Sequence, residues 1–481
     1  MQSKSKSLFW SSLDKFGVQV FALIVGVLTT RMLSPKDFNI IACLAIFTAL
    51  SNVLVDSGFS AALIRREQNS SSEYSAAFIF NIALSIALYF LLWGFSGTLA
   101  DFFGTPEINP LSRFIFLGIV INSLGIIPNV LLTRSMRFKD ISIANLSAAV
   151  ASALLTIVLV LAGYTYWAIA WQQVSLTTVR VTMLWLLSRW QPTARPDFDI
   201  IRKIFSFSVF LLGTSILNIV VKYIYNLKIP IAFSKEDNGY YDRARKFQDI
   251  PSTVVTSTIV SVAYPILSEL NGDKPKQLAF FRKIVRVTAF MIFPIMLGLI
   301  GIIDNVTTVV LTDKWASMIP YFQILCIAGI FLPFQSFCLT TLNALGKSNL
   351  NFTLELGRNL LTLALFVLFS GTISQMLWGF SFAMFASYTV NMIIVGKRLG
   401  YSVINHLKDI LPYAVISVAM CMITILIGRI DIHIFAGYTL NTATILLLQT
   451  AVAIVFYSAT TYVLGSKVIR DCIELVVRRK K

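Results

Sequence analysis

Apolar runs of about 20 residues recur fourteen times along this 481-residue chain, and the longest connection between them is roughly 16 residues. As a helix, such a run rises about 30 Å, the thickness of a bilayer's hydrocarbon core. Lipid offers no partner to backbone N–H and C=O groups, so a spanning segment has to satisfy its own, and the runs are read as helices. They fall at 8–32, 38–62, 76–100, 111–132, 141–163, 166–188, 204–233, 239–267, 279–303, 317–343, 350–371, 374–396, 409–428 and 441–464. Only 13% of residues are charged against 56% hydrophobic, about half the charge of a soluble domain. The reading is an all-α polytopic membrane protein of about 14 transmembrane helices. The first run holds Asp14 and Lys15 and no small-residue cleavage motif follows it, so a cleavable signal peptide is not expected. The five cysteines are scattered without metal or disulfide spacing.

The formal net charge of +17 raises nucleic acid as a partner, but its distribution assigns it elsewhere. Of the 40 Lys and Arg, counting those at span edges with the adjoining loop, 26 fall in alternate loops and termini on one side, 6 on the other and 8 deeper within spans. This is the asymmetry of cytoplasmic loops, with both termini cytoplasmic, and the bilayer and its anionic headgroups account for the excess. No nucleic-acid partner is expected. Nor is an enzyme: a glycan polymerase or transferase works through a sizeable loop or appended domain, and no triad, metal cluster or phosphate loop is visible. His406 and His433 fall in loops between spans, so a histidine proton relay is not expected.

Two internal echoes suggest a repeat. Leu33–Asn39 (LSPKDFN) resembles Phe233–Gly239 (FSKEDNG), and Pro110–Gly118 resembles Pro320–Gly329, at offsets of 200 and 210 residues. Both copies start from the same side, which makes them parallel repeats related by an axis along the membrane normal. The expected organisation is a lobe at 1–199, a second at 200–400, two additional helices over 401–466 and a basic tail at 467–481.

Charge buried in a bilayer costs about 2.5–3.5 kcal/mol per residue on insertion scales, so intramembrane polar residues are candidates for function. In the seventh span Ser215, Asn218, Lys222 and then Tyr225 or Asn226 recur at helical spacing, with Lys228 two residues before the bending Pro230. Lysine acts as a point charge toward phosphate, so this stripe reads as a cationic wall for a diphosphate; the bland alternative is snorkelling to headgroups. In the eighth span Asp242, Arg245 or Lys246, and Asp249 share a face, with Arg243 pointing aside. They form either a self-paired ladder or a cavity lining. Asp14 and Lys15 lie in the first span, Gln173 and Arg180 align in the sixth, and Glu355 with Arg358 suits a structural i,i+3 pair. Asp56 either binds a coupling cation or caps a neighbour.

The sequence Leu33–Ile40, followed by Val55–Asp56–Ser57–Gly58–Phe59 and continuing through Ile64–Arg65–Arg66, resembles the early signature of polysaccharide exporters. So do Gly239–Tyr240–Tyr241–Asp242–Arg243–Ala244, Tyr264–Pro265–Ile266–Leu267–Ser268, Trp315–Gly329 and Leu342–Lys347. The chain resembles the Wzx-type lipopolysaccharide and exopolysaccharide flippases of the multidrug/oligosaccharidyl-lipid/polysaccharide (MOP) exporter superfamily over about residues 8–400. The resemblance implies a V of two six-helix lobes plus two C-terminal helices. It also implies a cationic cavity and alternating access, carrying an undecaprenyl-diphosphate-linked oligosaccharide from the cytoplasmic to the periplasmic leaflet of a bacterial inner membrane. By position it carries over Lys15, Asp56, Lys222 and Arg243, and less directly Arg180.

The candidate diphosphate or cavity residues are therefore Lys15, Lys222, Lys228, Arg243, Arg180, Arg245 and Lys246. Cation-coupling candidates are Asp56, Asp14 and Asp242, and sugar-contact candidates are Asn218, Tyr225, Asn226 and Gln173. No cofactor is expected beyond a coupling proton or sodium ion. A glycan polymerase and a chain-length regulator are expected partners. A multidrug antiporter of the same superfamily would call for acidic residues in its cavity, and a membrane polymerase or ligase for a large outer loop.

Overall fold

A computed structural model describes residues 4–56, 69–192, 199–429 and 441–465 with a few isolated positions between, excluding the side chains of 4–9, 11–13, 15 and 199–211. The described residues contain helices and turns and no strand. The helices are α1 Lys4–Met32, α2 Pro35–Asp56, α3 Ser71–Gly94, the short α4 Ser96–Phe102, α5 Ile108–Arg134, α6 Phe138–Leu161, α7 Tyr166–Ser188 and α8 Asp199–Ala232. They continue as α9 Lys235–Glu269, α10 Lys274–Val306, α11 Ile319–Ala344, α12 Ser348–Leu368, α13 Ile373–Leu399, α14 Val403–Arg429 and α15 Thr442–Val463.

Ten of these are long and apolar enough to cross a membrane. The other long helices are α1, α7, α8 and α12, and these carry Asp14, Arg180, Lys222 and the Glu355–Arg358 pair. Ten spans are thus supported among the described residues, and the sequence count of fourteen stands as an expectation beyond them. One boundary differs in kind. The run at 409–428 begins six residues earlier as α14, so His406 lies inside a helix and is 4% exposed rather than in a loop. His433 and the basic tail from 467 lie outside the described residues, apart from Val468.

Two compact units emerge, Met1–Asp242 and Arg243–Lys481. In the first, α6 packs on α1 and α7, α5 on α3 and α7, and α2 along α8. Small residues make the close approaches: Ala144, Ala148, Ala149, Ser152 and Ala153 form the buried face of α6. Small side chains let backbones approach where lipid gives no hydrophobic drive for association. Helix starts follow ordinary capping chemistry. Ser70 and Glu73 form a reciprocal capping box at α3.

In the second unit α10 packs on α14 and α11, α11 on α13, and α15 against α10 and α14. Gln449 of α15 donates to the Thr424 carbonyl at 2.7 Å and accepts from Asn305 at 2.8 Å, fixing α15 by buried polar contacts. An apolar cleft of about 450 Å³ lies between α10, α14 and α15, lined by residues such as Phe290, Pro294, Met420 and Ile454.

Candidate functional site

The two echoed turns enter helices in the same way. At α2 the Asp37 carboxylate accepts from the Ser34 backbone N–H at 2.9 Å and from its hydroxyl at 2.6 Å. At α9 Asp237 accepts from Ser234 N–H at 3.4 Å and from its hydroxyl at 2.7 Å. Each serine lies three residues before its aspartate, so one sequence pattern builds one capping geometry twice. The two turns also touch. Lys36 Nζ lies 3.0 Å from Glu236 Oε1, and the α-carbon of Gly239 sits so close to Pro35 that a Cβ there would fall 2.0 Å from the Pro35 carbonyl oxygen. Lys235 Nζ donates to the Gly104 carbonyl.

Beneath this contact lies a buried amide cluster. Asn238 Nδ2 donates to Asn39 Oδ1 at 2.8 Å, Asn226 Nδ2 reaches Asn238 Oδ1 at 3.4 Å, and the Cys43 thiol faces Asn39 at 3.4 Å. Asn39, Asn226 and Asn238 are all essentially inaccessible. Tyr225 is buried beside them with its ring 5.7 Å from that of Tyr241. Two of the expected sugar contacts, Tyr225 and Asn226, are thus packed into the α2–α8–α9 junction.

The α8 stripe therefore divides. Tyr225 and Asn226 turn inward, Asn218 is half-buried, and Lys222 is exposed with its ammonium 5.4 Å from the Tyr223 ring centroid. Lys228 is half-buried. At the start of α9, Asp242 and Arg243 are both buried, so Arg243 is not an exposed cation. In the second unit Arg245 lies 5.4 Å over the Phe380 ring and Lys246 is exposed.

The remaining candidates sort by partner. Arg180 Nε donates to Asn145 Oδ1 at 2.9 Å, and Asn145 Nδ2 donates to Asp14 Oδ2 at 3.0 Å. The amide presents its oxygen to the cation and its nitrogen to the carboxylate, so α1, α6 and α7 share one charge-compensated relay. Gln173 is half-buried on the same face of α7, its carbonyl accepting from Thr177 at 3.0 Å. Asp56 Oδ1 accepts from the Ser60 hydroxyl and, at 3.3 Å, from its backbone N–H. Glu355 and Arg358 form the i,i+3 pair at 3.6 Å. Lys15's side chain and Ser57–Phe59 lie outside the described residues. Among the described residues no group of three metal-ligating side chains occurs.

Two polar clusters were not singled out in sequence. Asn39 and Asn238 sit in or beside the two turns of similar sequence, yet a buried amide has no sequence signature of its own. In the second unit Asp409 takes a bidentate Arg282 at 2.8 and 3.1 Å, Tyr401 at 2.7 Å and Arg286 at 3.6 Å. His406 bonds Tyr388 beside it. The signal was present as an acidic residue in the first turns of a span opposite an Arg-rich helix start.

Comparison with known proteins follows the same lines. Residues 27–320 match the family described as "Polysaccharide biosynthesis protein". The chain is 23% identical over 486 aligned residues, covering 99% of itself and 96% of the relative, to the succinoglycan biosynthesis transport protein ExoT of Rhizobium meliloti. It is 22% identical to the lipopolysaccharide biosynthesis protein WzxC of Escherichia coli, over 67% of this chain and 66% of that one. The structure of the lipid II flippase MurJ in an inward closed conformation superposes with a TM-score of 0.78 at 15% identity, over 96% of this chain and 99% of that one. The chain shares the fold of that structure.

Proposed function

The chain belongs to the polysaccharide biosynthesis protein family, and on that premise we propose that it is a flippase for a polyprenyl-diphosphate-linked oligosaccharide. The cargo would be an O-antigen, capsule or exopolysaccharide repeat unit, carried from the cytoplasmic to the periplasmic leaflet by alternating access. The observation that carries this reading is Lys222, an exposed ammonium on the long helix α8, where a cation without a ligand would be costly. A diphosphate supplies the missing charge, and Lys228 is a second cation on the same helix. The sugars travel in the aqueous path and the prenyl chain stays in lipid or on apolar surface such as the α10–α14–α15 cleft.

A proton or sodium gradient is the proposed energy source. Asp56 is the favoured carboxylate, because its bonds are to the neutral Ser60 hydroxyl and N–H, whereas Asp14 is linked through Asn145 to the Arg180 cation. The proposed orientation puts both termini in the cytoplasm and the chain in a bacterial inner membrane, as the 26 to 6 charge asymmetry suggests. The flipped product would then be consumed by a polymerase working with a chain-length regulator.

Leaflet transfer in proteoliposomes tests the proposal. A polyprenyl-diphosphate oligosaccharide is loaded on one face and scored by its access to a glycan-modifying enzyme on the other. Transfer by the parent chain and its loss in Lys222→Glu, with Lys222→Arg retaining it, is the expected result. Extrusion of a cationic dye with no glycan transfer would replace the flippase by a multidrug antiporter.

A further inference from the structure

The second unit contains a cleft of about 520 Å³ that the reading above leaves unused. It runs along one face of α9, one face of α11 and the first turns of α12, wholly within Arg243–Lys481. Its volume lies inside the about 300–1,000 Å³ range of small-molecule sites.

Its lining hydroxyls fall into two groups: Ser257 returns its own to the Val254 carbonyl at 3.1 Å and Ser252 is engaged by Gln248 and the Gly329 carbonyl, while the others are not bonded to their helices among the described residues. A Ser or Thr in an apolar helix ordinarily returns its hydroxyl to the carbonyl three or four residues back. Thr258, Thr288 and Thr341 do so at 2.8 Å. The cleft hydroxyls Thr253, Thr256, Ser336 and Thr340 make no such bond among the described residues. Thr340 is the most enclosed of them: it is 9% exposed, borders the cleft next to back-bonded Thr341, and makes no hydrogen bond through its own hydroxyl among the described residues. Amides continue the pattern. Asn351 Nδ2 donates to Asn343 Oδ1 at 3.0 Å, and Asn351 Oδ1 is buried with no donor.

The charge on the lining selects among ligands. Asp249 and Glu355 border the cleft, and no Lys or Arg is among its lining residues. Glu355 is compensated by Arg358, whereas Asp249 has no cationic partner within 4 Å among the described residues. A diphosphate or a uronic acid would meet carboxylate here. An organic cation would find no aromatic face, the usual cage for such groups. Carboxylate oxygens attract hydroxyl donors and repel anions, and the lining hydroxyls both donate and accept, so the complementary ligand is rich in hydroxyls and carries no negative charge.

We propose that this cleft is a sugar subsite that takes neutral hexose rings of the cargo and disfavours acidic sugars. Thr253, Thr256, Ser336, Thr340 and Asp249 bond ring hydroxyls, and Val260, Leu332 and Leu339 meet the C–H faces. The assignment rests on the flippase reading and adds to it the chemical class of glycan.

Binding to the full chain in nanodiscs tests it. The probes are a short-chain prenyl diphosphate bearing no sugar, the same lipid bearing a neutral hexose disaccharide, and the same lipid ending in a uronic acid. The parent is expected to bind the neutral-sugar probe about tenfold more tightly than the sugar-free one, and the uronate no more tightly than the sugar-free one. Ser336→Ala with Thr340→Val should erase the sugar increment without changing sugar-free binding, and the exposed Thr253→Val should reduce it in a chain with its core untouched. Asp249→Asn should raise uronate binding. An increment that is absent in the parent, or that survives the double variant, overturns the subsite. Tetraphenylphosphonium binding abolished by Asp249→Asn, with no sugar increment, would make the cleft a cation site instead. Failure of Lys222→Glu to weaken the sugar-free probe would strike the diphosphate reading alone and leave the sugar increment standing.

Discussion

Asn238 and Asn39 are joined side chain to side chain at 2.8 Å across 199 residues, one from each of the two echoed helix-entry turns. The bond is inaccessible to water, and Asn226 and Cys43 complete its surroundings. A buried amide left without its partner costs about 1–3 kcal/mol. Asn238→Leu is therefore expected to lower the thermal midpoint of the detergent-solubilised protein by several degrees. Gly239→Ala should lower it further, because its Cβ would meet the Pro35 carbonyl at 2.0 Å and force α2 and α9 apart. The nearby Lys36–Glu236 pair is exposed on both sides, so Lys36→Ala should cost under about 1 kcal/mol. An equal effect of Lys36→Ala and Asn238→Leu would place the strength of this junction in the surface pair instead.

Tyr225, Asn226 and Lys222 belong to one sequence stripe but have different surroundings, which separates their variants. Asn226→Ala removes a buried donor to Asn238 and should cost about 1–3 kcal/mol of stability. Its transfer rate per folded molecule should stay within about twofold of the parent. Lys222→Glu should do the reverse, with an unchanged unfolding midpoint and abolished transfer. Paired unfolding and transfer assays on the same preparations read both. A stable Asn226→Ala protein that no longer transfers glycan would return Asn226 to the substrate path.

This division marks what the sequence made legible. Helix placement follows from apolar runs, and the sixth run, 166–188, coincides with α7 at Tyr166–Ser188. The run at 409–428 misses the first turns of α14 because Asn405, His406 and Lys408 dilute the hydropathy there, while Asp409 at its edge is met by Arg282 from a distant helix. The Glu355–Arg358 pair was readable because i,i+3 spacing fixes it locally. The partners of Asn145, Asn238 and Asp409 lie more than a hundred residues away in at least one direction, and spacing along one helix carries no trace of them.

The Arg180–Asn145–Asp14 relay predicts non-additivity. Asp14→Asn should destabilise by leaving the Arg180 guanidinium with only an amide dipole, and Arg180→Gln by leaving Asp14 without a distant cation. The double variant removes both charges and should cost less than the sum of the two singles, by about 0.5–3 kcal/mol of coupling. A thermal-unfolding double-mutant cycle measures it. Additive effects would mean that the two charges do not communicate through Asn145.

The Asp409 cluster predicts an alkaline signature in the second unit. Asp409→Asn leaves Arg282 and Arg286 without their carboxylate. Arg282 is partly exposed, so the loss should fall short of the about 3–5 kcal/mol of a fully buried broken pair, nearer 1–3 kcal/mol. Tyr401 lies in the turn between α13 and α14 and donates to the same carboxylate at 2.7 Å. Burial and then the Asp409 carboxylate push its phenol well above the ordinary range, so the folded state keeps it protonated where the unfolded chain ionises. A raised acid of this kind contributes fully below the unfolded value of about 10 and loses its contribution as pH climbs from there toward the folded value. The unfolding midpoint of the parent should therefore fall between pH 10 and 11. Tyr401→Phe should be less stable at pH 8 by about 1 kcal/mol, the worth of one hydrogen bond, and should show a shallower alkaline decline. An unchanged alkaline slope in Tyr401→Phe would assign that titration to another group.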